Sequence, residues 1–205
     1  MRIQLLGSVR AFSAAGVPLK LGGPKQRALL CVLASSPGRP ISADTLADAI
    51  WGEQLPSQPR RSIATYASNL NRVLDHALAS EAGEYRIDVA RSAVDTCVFV
   101  DAVKAAEQMP DNEGVAARRA ALDLWAGPPF HGVETHGIMT AEAVRLEELR
   151  LSVLEHVALS DVTLDDPAHH LPEIARLVSD HPTRERLREA HMIGLYRTGR
   201  QTEAL

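Results

Sequence analysis

The chain has 205 residues, of which 45% are hydrophobic and 23% charged, and its net charge is −4. This balance is typical of a folded protein of one or two domains, and it excludes disordered, collagen-like and rod-shaped chains. The apolar runs fall far short of the roughly 20 residues that a bilayer span needs, and the N-terminus lacks a secretory signal pattern. Cys31 and Cys97 suggest no disulfide framework. We therefore expect a cytoplasmic protein.

Charge divides the chain into two halves. Residues 1–94 carry a net charge of +4, whereas residues 95–205 carry −8. A basic segment followed by an acidic one suggests that the first half meets a polyanion and the second half another partner. We therefore predict two domains, residues 1–94 and residues 95–205.

The first half begins with short strands and continues with helices. Three strands with tight turns are predicted near residues 3–6, 9–12 and 17–21. A first helix is predicted from Pro24, which suits a first helical position, and it stops before Pro37. A second helix follows Ser42, a good N-cap, and ends at Trp51.

A third, amphipathic helix is predicted over residues 60–76, followed by a hairpin with strands 77–80 and 85–89. The apolar face of this helix has the i, i+3, i+4, i+7 spacing of a core-facing helix. Its polar face is formed by Arg61, Thr65, Asn69 and Arg72.

The order of sheet, three helices and hairpin is that of a winged helix-turn-helix. This fold holds one helix by its apolar face while guanidinium, amide and hydroxyl groups on the other face reach base edges and phosphates in a major groove. A solvated amphipathic helix is the alternative interpretation of the third helix taken alone.

Three segments of the first half resemble the DNA-binding domain of the Streptomyces antibiotic regulatory protein (SARP) family. They are residues 21–30 (LGGPKQRALL), 41–52 (ISADTLADAIWG) and 66–74 (YASNLNRVL). The second half resembles the bacterial transcriptional activation domain of the same family. The segments that carry this second resemblance are residues 121–130 (ALDLWAGPPF), 181–187 and 195–205.

The resemblance implies an OmpR-type α+β winged helix followed by an all-α domain of tetratricopeptide-like hairpins. It also implies a transcriptional activator of secondary-metabolite (antibiotic) biosynthesis genes. Such a protein would bind direct repeats in double-stranded promoter DNA near the −35 region, as two side-by-side copies. It would recruit the RNA polymerase holoenzyme through its sigma factor and polymerase subunits.

Ten residues are candidates for DNA contacts. Arg61, Thr65 and Asn69 are assigned to base edges, because Arg suits guanine and Asn suits adenine. The residues assigned to phosphates, which fix register without reading sequence, are Arg60, Ser62 and Arg72.

The other four candidates have a structural alternative. Tyr66 is a core aromatic whose hydroxyl is a candidate phosphate contact. Lys25 and Arg27 are placed near the start of the first helix, where they meet phosphate or remain solvated. Arg86 lies on the returning strand of the hairpin. Its side chain is predicted to contact a phosphate or the minor groove, or else to be an exposed strand arginine.

Four positions depart from the family pattern. Asn69 and Asn71 occupy helix positions where relatives usually carry arginine, which predicts weaker or more sequence-dependent binding. The hairpin tip has Glu81 and Glu84, and carboxylates repel phosphates. We therefore predict that the tip does not lie against the DNA backbone.

The second half is predicted to be helical throughout. Apolar stripes and breakers place the helices near residues 98–106, 115–124, 140–159, 174–180 and 184–197. A last helix begins at Gln201 and lacks a partner, so we expect either that the natural protein continues past Leu205 or that this chain is a truncated form.

Enzyme and cofactor motifs are missing from the sequence. Pairs such as His169-His170, His131 with His136, and Asp161 with Asp165-Asp166 lack the spacing of a metal site. There is no phosphate-binding loop and no nucleophile elbow. We therefore predict no enzymatic activity, no metal and no cofactor. The alternative function is a helical protein-interaction scaffold or ligand-responsive adaptor with a weakened DNA-binding domain.

Overall fold

A computed structural model describes residues 1–164 and 166–204, so the sequence features at Asp165 and Leu205 lie outside the described residues. The chain forms two compact units. The first contains Met1–Ala102 and Asp123–Glu147, and the second contains Val103–Leu122 and the residues from Glu148 on. The predicted domain boundary at residues 94 and 95 stays a prediction, and these units divide the chain at other positions.

The first unit starts with an antiparallel strand pair, β1 (Arg2–Gln4) and β2 (Arg10–Phe12), with Ile3 opposite Ala11. The predicted third strand at residues 17–21 is wrong. A single bridge joins Pro18 to Phe12 instead, flanked by hydrogen bonds from the Ser13 N–H to the Val17 carbonyl at 2.9 Å and from the Leu19 N–H to the Ala11 carbonyl at 2.8 Å.

Three helices form the core of this unit: α1 (Pro24–Ala34), α2 (Ala43–Trp51) and α3 (Pro59–Val73). Each packs on the other two. Ser42 caps α2 as predicted, because its hydroxyl accepts the N–H of Thr45 at 3.2 Å. Helix α3 ends three residues earlier than predicted, because Asp75 and His76 both have positive φ and cannot continue a right-handed helix.

A three-stranded sheet completes the winged helix. Strand β3 (Ile41–Ser42) pairs with β5 (Glu84–Ile87), which also pairs with β4 (Leu78–Glu81), all antiparallel. A two-residue turn at Ala82 and Gly83, both with positive φ, joins β4 to β5, as hairpin twist requires. The carbonyl of Gly83 accepts the N–H of Ala43 at 3.0 Å, which holds the hairpin turn at the start of α2.

Segments from beyond residue 94 complete the first unit. Helix α4 (Asp95–Ala106) follows a short 3₁₀ turn at Arg91–Ala93, and the Asp95 carboxylate accepts the N–H groups of Leu5 and Leu6 at 2.8–3.1 Å. Burial raises the pKa of Asp95, and these donors oppose that rise. The N–H of the buried Phe130 donates to the Leu5 carbonyl at 2.8 Å. The N-terminal strand region is thus joined to residues far along the chain.

The second unit is helical. Its elements are α5 (Asp111–Leu122), most of α6 (Ile138–Leu164), α7 (Pro167–Asp180), α8 (Glu185–Arg197) and α9 (Gln201–Ala204). Helix α7 starts seven residues before its predicted start, where Asp166 caps it by accepting the N–H of Ala168 at 3.1 Å. A Cβ on Gly194 would lie 2.9 Å from Leu171, so the absent side chain lets α8 approach α7 closely. None of the helices in the described part of the chain has the length and hydropathy of a membrane-spanning segment.

Candidate nucleic-acid interface

Helix α3 has one buried and one open face. Ile63, Ala67 and Leu70 are buried against the other two helices. The predicted contact residues lie outside that apolar stripe: Arg60, Arg61, Thr65 and Arg72 are exposed, and Ser62, Tyr66 and Asn69 are half-buried. The helix is therefore held from one side while its polar groups remain accessible from the other.

Arg60 forms a bidentate ion pair that joins α3 to α2. Its Nε and Nη2 donate to the two carboxylate oxygens of Asp44 at 3.1 and 2.8 Å. Both side chains remain open to solvent, with exposed fractions of 74% and 72%. The hydrogen bonds and charge of the pair hold the pKa of Asp44 below its usual range. Arg60 keeps further N–H donors for an additional acceptor.

Arg61 and Thr65 have weaker partners. Arg61 Nη1 lies 3.4 Å from the side-chain oxygen of Gln58, a neutral acceptor. The Thr65 hydroxyl donates to the Arg61 carbonyl at 3.0 Å. Thr65 therefore retains lone pairs to accept from a base amino group, while the Arg61 guanidinium is the least engaged cation of the helix.

The two asparagines of α3 have different roles. The Asn69 side-chain oxygen accepts a hydrogen bond from Arg72 on the open face. The Asn71 side-chain oxygen instead accepts the N–H of Leu78, the first residue of β4, at 2.8 Å. Asn71 therefore holds the hairpin against α3, and its departure from the family pattern has a structural reason that the sequence analysis missed.

Tyr66 packs against the end of α2. Its ring centroid lies 6.1 Å from that of Trp51, with an angle of 34° between the ring planes. Trp51 is buried and Tyr66 is half-buried. This packing fits a core aromatic with an accessible edge.

Lys25 and Arg27 engage the backbone of the first unit. The Lys25 ammonium donates to the Ile50 carbonyl at 2.7 Å and to Glu134 at 3.2 Å. The hydrogen bond and charge of Lys25 lower the pKa of Glu134. Arg27 Nε donates to the Gly22 carbonyl at 3.2 Å. Lys25 thus supports the carbonyl end of α2, where a cation is favourable.

The hairpin presents a mixed surface. Arg86 Nε donates to Asp88 at 2.8 Å, which raises the pKa of Arg86. At the tip, Glu81 lies directly opposite Glu84 in the last register pair. Facing like charges destabilise a strand pair, and whether the tip stays away from DNA stays a prediction.

Three side chains of reactive types, His170, Asp161 and Cys31, have defined surroundings. His170 Nδ1 lies 3.3 Å from the buried Asp161, which also accepts a hydrogen bond from Arg119. Cys31 is fully buried, and burial raises the pKa of its thiol. Cys31 therefore lies in a packed interior, while Asp161 is engaged by both His170 and Arg119.

Comparisons with known proteins agree with this arrangement. Residues 18–92 match the family described as "Transcriptional regulatory protein, C terminal", and residues 94–205 match the family described as "Bacterial transcriptional activator domain". The fold and its open helix thus define a DNA-binding transcriptional regulator. The chain belongs to the bacterial transcriptional activator domain family, and its winged helix followed by this domain is the arrangement of SARP-type regulators.

Relatives that match nearly all of this chain are themselves named as regulators. The chain is 43% identical over its whole length to the regulatory protein AfsR of Streptomyces coelicolor and 31% identical over 93% of its length to MoaR1 of Mycobacterium bovis. It spans only 21% of AfsR and 65% of MoaR1. The structure of Mycobacterium tuberculosis EmbR in complex with a low affinity phosphopeptide aligns with a TM-score of 0.89 at 28% identity, covering 99% of this chain and 56% of that one.

Proposed function

We propose that this chain activates antibiotic biosynthesis genes by binding direct repeats near the −35 region and recruiting RNA polymerase. The observation that carries the proposal is the open face of α3, where Arg61, Thr65 and Asn69 stand on a helix fixed by its buried side. Arg and Asn are the side chains that read guanine and adenine in the major groove. Two side-by-side copies of the chain would read the two repeats.

The phosphate contacts in this proposal are Arg60, Ser62 and Arg72. They lie on the same helix as the reading residues, so they would set its register in the groove. The Asp44 carboxylate keeps the Arg60 guanidinium at the junction of α2 and α3, beside the start of the reading helix.

The test is selection of bound duplexes from a random library at near-physiological salt. The chain is compared with Arg61→Ala and Asn69→Ala, and with Arg176→Ala as the control, because Arg176 is an exposed arginine on α7 that pairs with Asp180. We expect enrichment of spaced direct repeats by the chain and the control, with altered or lost enrichment in the two α3 variants. The logarithm of the binding constant should fall by about 0.9 per neutralised phosphate for each unit of log salt.

Two outcomes would contradict the proposal. Enriched sequences that are the same in all four proteins would exclude α3 as the reader. Binding without salt dependence, or no enrichment, would favour a helical scaffold. Transcription in vitro with purified RNA polymerase from a promoter that contains the selected repeats then tests recruitment separately from binding.

A further inference from the structure

The outer side of the N-terminal strands carries positive charge without neighbouring carboxylates. Residues 1–43 include six Lys or Arg and no Asp or Glu. Within the described ranges, Arg2, Arg10 and Lys20 form no ion pair, whereas Arg60 and Arg86 each bond a carboxylate. The strand region therefore carries positive charge that no ion pair of these three residues neutralises.

Strand alternation directs this charge outward. Ala11 on β2 is buried, so its neighbours Arg10 and Phe12 lie on the opposite side of the strand. Arg10 is exposed and Phe12 is half-buried. The Arg2 guanidinium stacks over the Phe12 ring at 4.8 Å from its centroid. Cations and an aromatic ring thus occupy one face.

A cleft of about 700 Å³ opens on this face, between β2, residues 17–22 and the start of α1. Arg10, Lys20 and Arg27 line it, together with Phe12. Its accessible apolar surface comes from Phe12, Pro18 and Leu19, because the other apolar residues that border it, Val9, Ala11 and Leu21, are buried. A volume of this size is typical of small-molecule sites, and apolar walls with a few converging charges are typical of their lining.

We propose that this cleft binds a small organic anion in which two or three phosphate groups are attached to a flat ring system, as in a nucleoside diphosphate or triphosphate. Three lining cations match the negative charge of such a ligand, and Arg and Lys are the side chains that bind phosphate oxygens. Phe12, Pro18 and Leu19 give the ring system an apolar surface to cover. Duplex DNA has its phosphates on the outside of a broad rod, which fits a concave cleft poorly.

The site is separate from the reading face of α3. Of the residues that line the cleft, only Arg27 is also a candidate DNA contact, so Arg27 is left unchanged in the test. The variant carries Arg10→Gln and Lys20→Gln, which remove two charges and keep hydrogen-bonding side chains. The matched control carries Arg176→Gln and Arg200→Gln, two exposed arginines of α7 and the loop before α9.

The experiment is isothermal titration of the full chain with ATP, ADP, adenosine and tripolyphosphate at constant ionic strength. We expect one ATP bound per chain, weaker binding of tripolyphosphate and none of adenosine. Loss of two charged contacts should weaken ATP binding by at least about tenfold in the variant and leave the control unchanged. Thermal melting without ligand should show that the variant is folded, because removing like charges does not destabilise the strands.

Several results would overturn the proposal. ATP that fails to bind at millimolar concentration would exclude the site, and so would equal ATP affinity in the chain and a folded variant. If the variant instead loses affinity for a duplex while ATP has no effect, the cations contact DNA and the cleft is not a small-molecule site. If the variant still selects the same duplexes from the random library, its loss of ATP binding cannot be due to a loss of the proposed DNA-binding function.

Discussion

Replacement of Asn71 by alanine tests whether this residue is structural. The substitution leaves the N–H of Leu78, a residue with only 8% of its surface exposed, without its acceptor at 2.8 Å. An unpaired buried donor costs about 1–3 kcal/mol. For a chain of this length, that cost lowers the melting temperature by roughly 2–4 °C per kcal/mol, or on the order of 2–12 °C in all.

Asn71→Arg distinguishes the effect of added positive charge on DNA binding from the effect of losing the hydrogen bond to Leu78. It restores the residue type that the family pattern favours, yet it also removes the acceptor for Leu78. We therefore expect it to melt at a lower temperature than the parent chain and to bind duplex no more tightly, because the hairpin is no longer held against α3. Circular dichroism gives the melting temperature, and fluorescence anisotropy with a labelled duplex gives the affinity.

Asn69→Ala is the matched control, since the Asn69 side-chain oxygen bonds an exposed arginine instead of the backbone. Surface substitutions of this kind change the free energy of unfolding by no more than about 0.5 kcal/mol, so the melting temperature of Asn69→Ala should change little. The reasoning is refuted if the alanine variants of Asn69 and Asn71 melt together. It is equally refuted if Asn71→Arg binds duplex more tightly at an unchanged melting temperature.

Three further substitutions test the first unit, the second unit and the hairpin in turn. Gly52→Ala should destabilise the first unit by about 1–3 kcal/mol in denaturant unfolding, because Gly52 has φ of 57° and a Cβ would lie 2.9 Å from His136 Nδ1. Burial and two nearby arginines lower the pKa of His156 in the folded chain. As the pH falls below about 6.5, the unfolded chain therefore binds a proton before the folded chain does, and the free energy of unfolding should decrease. His156→Gln should reduce this decrease, which thermal melts between about pH 5 and 7 measure. Glu84→Lys should stabilise the hairpin by about 0.2–1 kcal/mol through an attractive cross-strand pair, and duplex titrations should show an unchanged salt slope if the tip stays away from DNA.

The helices of the winged helix could be predicted because local signals agree there. Ser42 is a cap, Pro24 suits a first helical position, and the apolar spacing of α3 has one helical period. The predicted third strand is reduced to one bridge at Pro18, because the Ser13–Val17 and Leu19–Ala11 backbone hydrogen bonds alone flank that bridge, and such a short pairing leaves no distinct hydrophobic pattern. Strand β3 has only two residues, too few for any alternation to show.

The site could be predicted only as a face of a helix. Periodicity places Arg61 and Asn69 on the open side of α3, but the partners of such residues come from other elements. Asp44 lies 16 positions before Arg60, and its carboxylate reaches that guanidinium only through the packing of α2 on α3. Asn71 meets Leu78 across the bend after α3. Such contacts depend on tertiary structure and leave no periodic signal in the sequence.

Arg60 and Arg61 should contribute differently to DNA binding, because their hydrogen-bond partners within the chain differ. A phosphate that approaches Arg60 competes with the Asp44 carboxylate, so the free energy gained is the difference between two anionic partners. Arg61 exchanges a 3.4 Å contact with a neutral amide oxygen for a base edge or phosphate, and it loses little in doing so. We therefore expect Arg61 to supply more affinity than Arg60, although both are exposed cations at the start of one helix. Proximity to DNA alone would rank them equally, and the carboxylate on α2 is what separates them.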